Sequence, residues 1–397
     1  MTLPRKTPLD RVAEAPPSAI AFARDKDTEA TVAAYFASAG ISDVRLVRGD
    51  IDQALELLGH ERSPRLLIVD ISGEPEPTLK LGRVAEFCDP STTVIAVGDC
   101  NDLALYRSLK KLGVAEYFYK PLVPDLLAQA CAPVFGHQQD TGNRHDGHLV
   151  TVLGVRGGVG ATTIAVNTAW HLAEVMKRHT VLLDLDLQGG DAAMHLDAKP
   201  SHALSEALKN PDRLDNLFVE RAVTRLSERL DLLASLAPLS DTTDVDEAAV
   251  LALIDRLQER YRYVVVDLPF WAAARFPQVL HLPAMLVLVT DETIASARDA
   301  LRWKAQIDGQ GTAISTVVAL NKAHAPGALS EADFARALGQ VPDITVPFHA
   351  PIVEAGNLGL PAIANITPFR HGLAPLFKRL TGEPEDTRAS LLHRIFG

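Results

Sequence analysis

Cysteine is scarce. Cys88, Cys100 and Cys131 are the only three in 397 residues, and they lie too far apart for a disulfide framework or, lacking a CxxC spacing, a zinc site. Long apolar runs are missing as well. No stretch of about 18 residues could cross a membrane, and the opening MTLPRKTPLDRVAEAPPS has no apolar signal core, so the chain is expected to stay in the cytoplasm. Positive charge is in deficit, with 39 Lys and Arg against 50 Asp and Glu for a net charge of −11, which argues against a general grip on nucleic acid. What remains is 47% apolar and too long for one ordinary core, so two domains with connectors are expected.

Residues 1–17 form a Pro-containing polar leader. From residue 18 to 136 short β-rich runs alternate with helical patterns: AIAFA, a helix over 28–39, VRLV, a helix after Asp52, RLLIVDI, and a helix near 79–87. TVIAVG, a helix over 102–112, EYFYKPL and a helix from Pro124 complete five βα units, which predicts a parallel sheet covered on both faces. Ligands gather at the carboxyl ends of strands in such sheets, where Asp70 and Lys120 stand. This order resembles the receiver domain of response regulators, whose strand-end Asp accepts a phosphoryl group beside a Lys-Pro pair. Asp70 falls at the acceptor position and Lys120-Pro121 at the Lys-Pro position. The acidic pair after the first strand is reduced to Asp25, beside Ala23 and Arg24, and the hydroxyl after the fourth strand is replaced by Gly98. The expected state is therefore a degenerate receiver kept for protein contact, with Asp70 phosphorylation and Mg²⁺ binding as the active alternative.

Residues 137–148 are polar and aperiodic and read as a flexible linker, with His145 and His148 solvated. Residues 149–382 resume the α/β pattern, predicting a second doubly wound, mostly parallel sheet. Its first strand runs into VRGGVGATT. Gly157, Gly158 and Gly160 free the backbone, so that N–H groups including those of Val159, Ala161 and Thr163 can converge on an anion at the start of a helix near Thr162. The usual GxxxxGK[ST] pattern is broken, because Val155 replaces its first glycine and Ala161 its lysine. Asp184, Asp186 and Asp267 close apolar strands of the same sheet, where a Mg²⁺ or a water could be held opposite phosphates, and Thr162 supplies a metal-binding hydroxyl.

VRGGVGATT resembles the deviant Walker A of the MinD/ParA superfamily. DLDLQGGDAAMHL looks like that group's switch I, VVVDLP its Walker B, and LNK with VPFHAPIVEAGNLGLPAI its base-binding segments. A receiver-like front joined to a MinD-like back with a lysine-free loop is similar to the CpaE/TadZ family of pilus assembly ATPase-like proteins. The resemblance implies a P-loop NTPase fold holding ATP and Mg²⁺. Gly157, Gly158 and Gly160 would cradle phosphates, Thr162 bind the metal with indirect help from Asp267, and Thr163 meet the α-phosphate. Asp186 would position the attacking water, and Asn321 with Pro347, Ala350 and Val353 would hold adenine. The superfamily's signature lysine, which reaches a partner's nucleotide, is Arg156 here.

Loss of one charge-assisted contact at Ala161, worth about 1.5–3 kcal/mol, weakens nucleotide binding by roughly ten- to a hundredfold and handicaps hydrolysis more. The resemblance thus implies a homodimerising, nucleotide-controlled localisation protein of a pilus or secretion machine, with slow or absent turnover. A competent membrane-cycling ATPase is the alternative. In the tail, residues 383–397, Leu391, Leu392, Ile395 and Phe396 share one helical face. They look like the membrane-targeting tail of MinD-type proteins, and docking on the chain's own core is an equal alternative.

Overall fold

The computed structural model describes residues 16–135, 147–209, 216–238, 245–309 and 314–381. The tail with Leu391, Leu392, Ile395 and Phe396, His145 and most of the leader and linker lie outside them. Among the described residues no helix is long and apolar enough to cross a membrane.

The first part of the chain gives β1 (Ala19–Ala23), α1 (Lys26–Ser38), β2 (Val44–Arg48), α2 (Ile51–His60) and β3 (Leu66–Asp70). It goes on through α3 (Pro77–Phe87), β4 (Thr93–Gly98), α4 (Leu103–Lys111), β5 (Glu116–Tyr119) and α5 (Pro124–Phe135). Short carboxylates set the helix starts: Asp25 accepts from the Thr28 N–H, Asp50 forms a capping box with Gln53, and Asp102 accepts from Ala104. The sheet is parallel in the order β2-β1-β3-β4-β5, with apolar residues buried on both faces. Every one of its strands thus ends on the same side, Asp70 among those ends.

The second part builds an eight-stranded sheet. It runs through β6 (His148–Gly154), α6 (Ala161–Glu174), β7 (Thr180–Asp184), a 3-10 turn at Met194–Leu196, α7 (Ala203–Lys209) and α8 (Asn216–Ala222). Then come β8 (Thr224–Arg225), β9 (Leu230–Leu233), α9 (Glu247–Gln258), β10 (Tyr263–Leu268), α10 (Phe270–Ala273), β11 (Met285–Thr290) and α11 (Ile294–Asp308). β12 (Ser315–Ala323), α12 (Glu331–Leu338), β13 (Ile344–Pro347), α13 (Ala350–Asn357), α14 (Ala362–Asn365) and α15 (Thr367–Thr381) complete it. The order is β13-β12-β11-β6-β10-β7-β9-β8, parallel except for β8. That two-residue strand was not expected, because so short a piece has no periodicity; it pairs through the turn in which the Leu226 N–H donates to the Leu230 carbonyl at 2.9 Å. His148, read from the sequence as part of the linker, opens β6 and lies against the Tyr263 ring at 5.2 Å, because the β10 pairing already begins there.

The two sheets dock through a buried polar seam. Arg229, just before β9, donates to the carbonyl oxygens of Leu58 and Glu61 at the end of α2, as a cation does at a helix C-terminus. His179, before β7, lies 3.0 Å from Asp89 in the first domain and 3.6 Å from Asp231 in the second. Arg262 donates to Glu86 at 3.0 Å, and Arg178 lies over the Phe87 ring. Apart from Asp231, which lies in β9, each residue of the seam precedes a strand or stands at a helix end. The contact is therefore at the N-terminal ends of both sheets, opposite the strand ends that carry the candidate chemistry.

Candidate nucleotide site

Central β6 delivers the chain to the glycine loop, and β10 beside it and β7 beyond β10 end on the same side. Gly158 and Gly160 have φ of +82° and +89°, the left-handed region where glycine alone is unstrained. Gly157 does not share that conformation. A Cβ on Gly160 would also lie 2.3 Å from the Asn321 amide nitrogen. The carbonyls of the loop are tied outward. The Trp303 indole donates to Val155 at 3.1 Å, Lys322 Nζ to Gly158 at 2.6 Å and Asn321 Nδ2 to Val159 at 2.9 Å. An irregularity in the β12–β13 pairing between Leu320 and Ala323 lets both Asn321 and Lys322 turn to the loop. With these three carbonyls occupied, the loop runs straight into the N-terminus of α6, where the helix dipole adds positive potential.

The metal side is built from carboxylates. Asp267 and Asp184 are register partners on β10 and β7. Asp184 accepts from the Asp186 N–H at 3.0 Å and the Ala192 N–H at 3.3 Å, so the chain wraps round it. A Cβ on Gly190 would come within 2.4 Å of its oxygen, which explains the glycine there. Asp186 accepts from the Gly189 N–H at 2.9 Å. The Thr162 hydroxyl is within hydrogen-bonding reach of both Asp267 and Asp191. Burial, and then repulsion from Asp186 and Asp191, pushes the Asp184 acid up to about 7. Burial and then Asp184 raise Asp267 well above the usual range.

Excess negative charge facing an anion cradle is the chemistry a hydrated divalent cation and a phosphate would neutralise together. The donor set therefore fits Mg²⁺. Among the described residues no three His, Cys, Asp or Glu side chains converge to hold an ion, so Thr162 would hold it, with the carboxylates of Asp267 and Asp184 acting indirectly.

The other expected residues are placed as follows. Ala161 opens α6 and Thr163 follows Thr162 in its first turn. Arg156 points away from the loop to Asp299 at 4.0 Å, beside Arg298 and Arg302, and remains 41% exposed. Asn321 is buried with its amide nitrogen committed to Val159, which makes it a brace under the loop. Pro347 ends β13, and Ala350 and Val353 lie on α13, of which no residue is buried. Asp191 and Gly190 escaped sequence reasoning, although the GGD run after Asp186 was a visible signal.

In the first domain Asp70, Lys120 and Asp25 do meet. Lys120 Nζ lies 2.5 Å from Asp70 and 2.6 Å from Asp25. Asp70 also accepts from the Arg24 N–H at 2.9 Å, the Ser72 N–H at 3.0 Å and the Ser72 hydroxyl at 2.6 Å. Each of its oxygens thus accepts two hydrogen bonds, and the residue is 0% exposed. Burial alone would raise its acid, yet the bonds from Lys120, Ser72 and Arg24 hold it below the ordinary carboxylate range. The Arg24 guanidinium bonds the Ser72 carbonyl across the top. Gly98 lacks a side chain for a steric reason, since a Cβ there would meet the Tyr117 hydroxyl at 2.6 Å.

Residues 148–306 match the family described as cellulose biosynthesis protein BcsQ. The septum site-determining protein MinD of Helicobacter pylori is 27% identical over 164 residues, 41% of this chain and 59% of that protein, so the chain spans about three-fifths of the length of the curated relatives it matches. A ParA family ATPase from Chlorobium tepidum TLS superposes with a TM-score of 0.53 at 22% identity, over 59% of this chain and 99% of that one. A pilus assembly protein CpaE from Caulobacter crescentus CB15 is 30% identical, covering 29% of this chain and 90% of that one at a TM-score of 0.27. The second domain has the MinD/ParA-type P-loop NTPase fold.

Proposed function

We propose that this chain binds ATP with Mg²⁺ in its second domain and uses the bound nucleotide to control dimerisation and placement of a pilus or secretion machine, with slow or absent hydrolysis. The observation that carries the reading is the loop itself. Gly158 and Gly160 hold the phosphate-cradling turn, and Thr162, Asp267 and Asp184 gather at its metal side, while Ala161 offers only a methyl group where a cation would touch phosphate. Backbone amides, the metal and the base segment keep binding, whereas the charge that builds up during transfer has lost a preorganised partner. Support for the assembly role comes from the coexistence of a receiver-like front with this fold. The saturated Asp70 suits a front that acts by contact.

When bound, Mg²⁺ supplies charge neutralisation on the phosphates, with Thr162 holding it and Asp267 orienting its water shell. The chain's own residues cradle the phosphates and set the loop. ATP affinity and turnover of the purified chain, with and without Mg²⁺, test the proposal. No measurable binding removes it, and brisk turnover abolished by Asp186→Ala removes slow hydrolysis. In that event the second reading, a competent ATPase, gains ground. Arg156 favours it, because its guanidinium is half-exposed and held only loosely by Asp299. Co-sedimentation with anionic liposomes, with and without residues 388–397, checks the peripheral membrane contact.

A further inference from the structure

The segment after Asp186 joins two parts of the site that the strand ends keep separate. Asp191 reaches the Thr162 hydroxyl at the metal side. One turn later His195 Nε2 lies 3.5 Å from the Asp191 carboxylate, and its backbone N–H donates to the Asp191 carbonyl at 3.1 Å. The Cε1–Nδ1 edge of the same imidazole lies against Gly356 of α13, the helix of the base-binding segment. A Cβ at 356 would come within 2.9 Å of His195 Cε1 and 3.1 Å of Nδ1. Gly359, at φ +67°, approaches Asp197 as closely, since a Cβ there would lie 2.8 Å from the Asp197 N and Cβ.

We infer that Asp191 and His195 are positioning residues that couple occupancy of the base side, through α13, to metal binding at Thr162. The inference rests on the ATP–Mg²⁺ reading above. A hydroxyl has one proton, and Thr162 can give it to Asp191 or to Asp267 but not to both. Oxygen lone pairs are what a metal uses, so the hydroxyl proton must point at one carboxylate when an ion arrives. His195 holds the Asp191 carboxylate in place and thereby decides whether that acceptor is available. The imidazole also lies against α13 with no space for even a methyl group between them, so a shift of α13 on binding a base is transmitted to the ring and on to Thr162. This is a two-site coupling with an identified mechanical link.

The test measures the dissociation constant of a fluorescent ATP analogue for the full chain in EDTA and in Mg²⁺, and takes the ratio as the metal enhancement. His195→Ala and Asp191→Asn should cut that ratio about fivefold or more. His195→Gln, whose amide still reaches Asp191, should retain most of it. Gly356→Ala, which crowds the ring from α13, should lower the ratio, and adding His195→Ala should remove the clash without a further loss. Met194→Ala, a 69% exposed neighbour in the same turn, should behave as wild type. An unchanged ratio in His195→Ala, or the same loss in Met194→Ala, overturns the coupling while nucleotide binding stands. Absence of binding by the wild-type chain overturns the ATP–Mg²⁺ reading itself, and the coupling with it.

Discussion

Asp267 faces Asp184 in register across the β10–β7 pair, two buried carboxylates at the ends of adjacent strands. Burial raises both acids, helped at Asp184 by Asp186 and Asp191 and at Asp267 by Asp184, and brings Asp184 to about 7, so the folded state holds a proton that the unfolded chain would release. The sign follows: the stability due to this proton is present at acid pH and is lost as pH rises through about 7. Asp267→Asn, which keeps an acceptor for Thr162, should therefore stabilise the nucleotide-free protein by about 1 kcal/mol or more at pH 8, less at pH 6. Urea unfolding at the two pH values checks it. The same variant should lose metal enhancement of nucleotide binding.

Ala161 gives a gain-of-function test. Ala161→Lys restores a charge-assisted phosphate contact at the first helical position of α6, and ATP affinity should rise roughly ten- to a hundredfold. Calorimetric titration with ATP and Mg²⁺ measures it. Unchanged affinity would mean that the phosphates do not sit on this loop.

Much of this site was legible because continuous apolar runs end at Asp70, Asp184 and Asp267, and strands of a parallel sheet put such ends on one side. The loop announced itself through glycines at the positions that need positive φ. Contacts between residues distant in the chain were not legible. Nothing local says that Asn321 braces Val159, since that depends on an irregularity in β12 pairing, nor that His195 touches Gly356. Gly98 looked like a lost hydroxyl, yet the Tyr117 hydroxyl leaves no space for any side chain there. The docking seam was equally hidden, because its arginines and His179 precede strands and look like ordinary surface residues until the other domain covers them.

Lys120 should matter to folding more than to signalling. Lys120→Met leaves Asp70 buried without its cation, which should cost about 3 kcal/mol or more, and adding Asp70→Asn should recover part of the loss. Incubation with a small phosphodonor and Mg²⁺ should give no mass increase. A stable adduct absent from Asp70→Ala would instead establish the active receiver.

His171 supplies a separate pH dependence. It stacks on Phe377 at 3.8 Å, and its Nδ1 has no hydrogen-bond partner among the described residues. Burial, with a smaller push from Arg370, lowers its pKa to about 4 from the ordinary 6.5. The unfolded chain thus binds this proton first, so the stabilising contribution is full above about pH 6.5 and is lost as pH falls towards 4, by about 3 kcal/mol in all. His171→Phe keeps the stack and removes the titration. Denaturant midpoints compared between pH 7.5 and 5 should fall more for wild type than for the variant.

The seam formed by Arg229, His179, Asp89 and Arg262 lies behind both sets of strand ends. It makes the first domain a handle fixed to the back of the second. Whatever grips the handle leaves the glycine-loop mouth open, and whatever binds at the mouth leaves the handle free. If two copies close mouth to mouth, their handles project from opposite ends, and the pair becomes a bridge able to tether two separate loads at once.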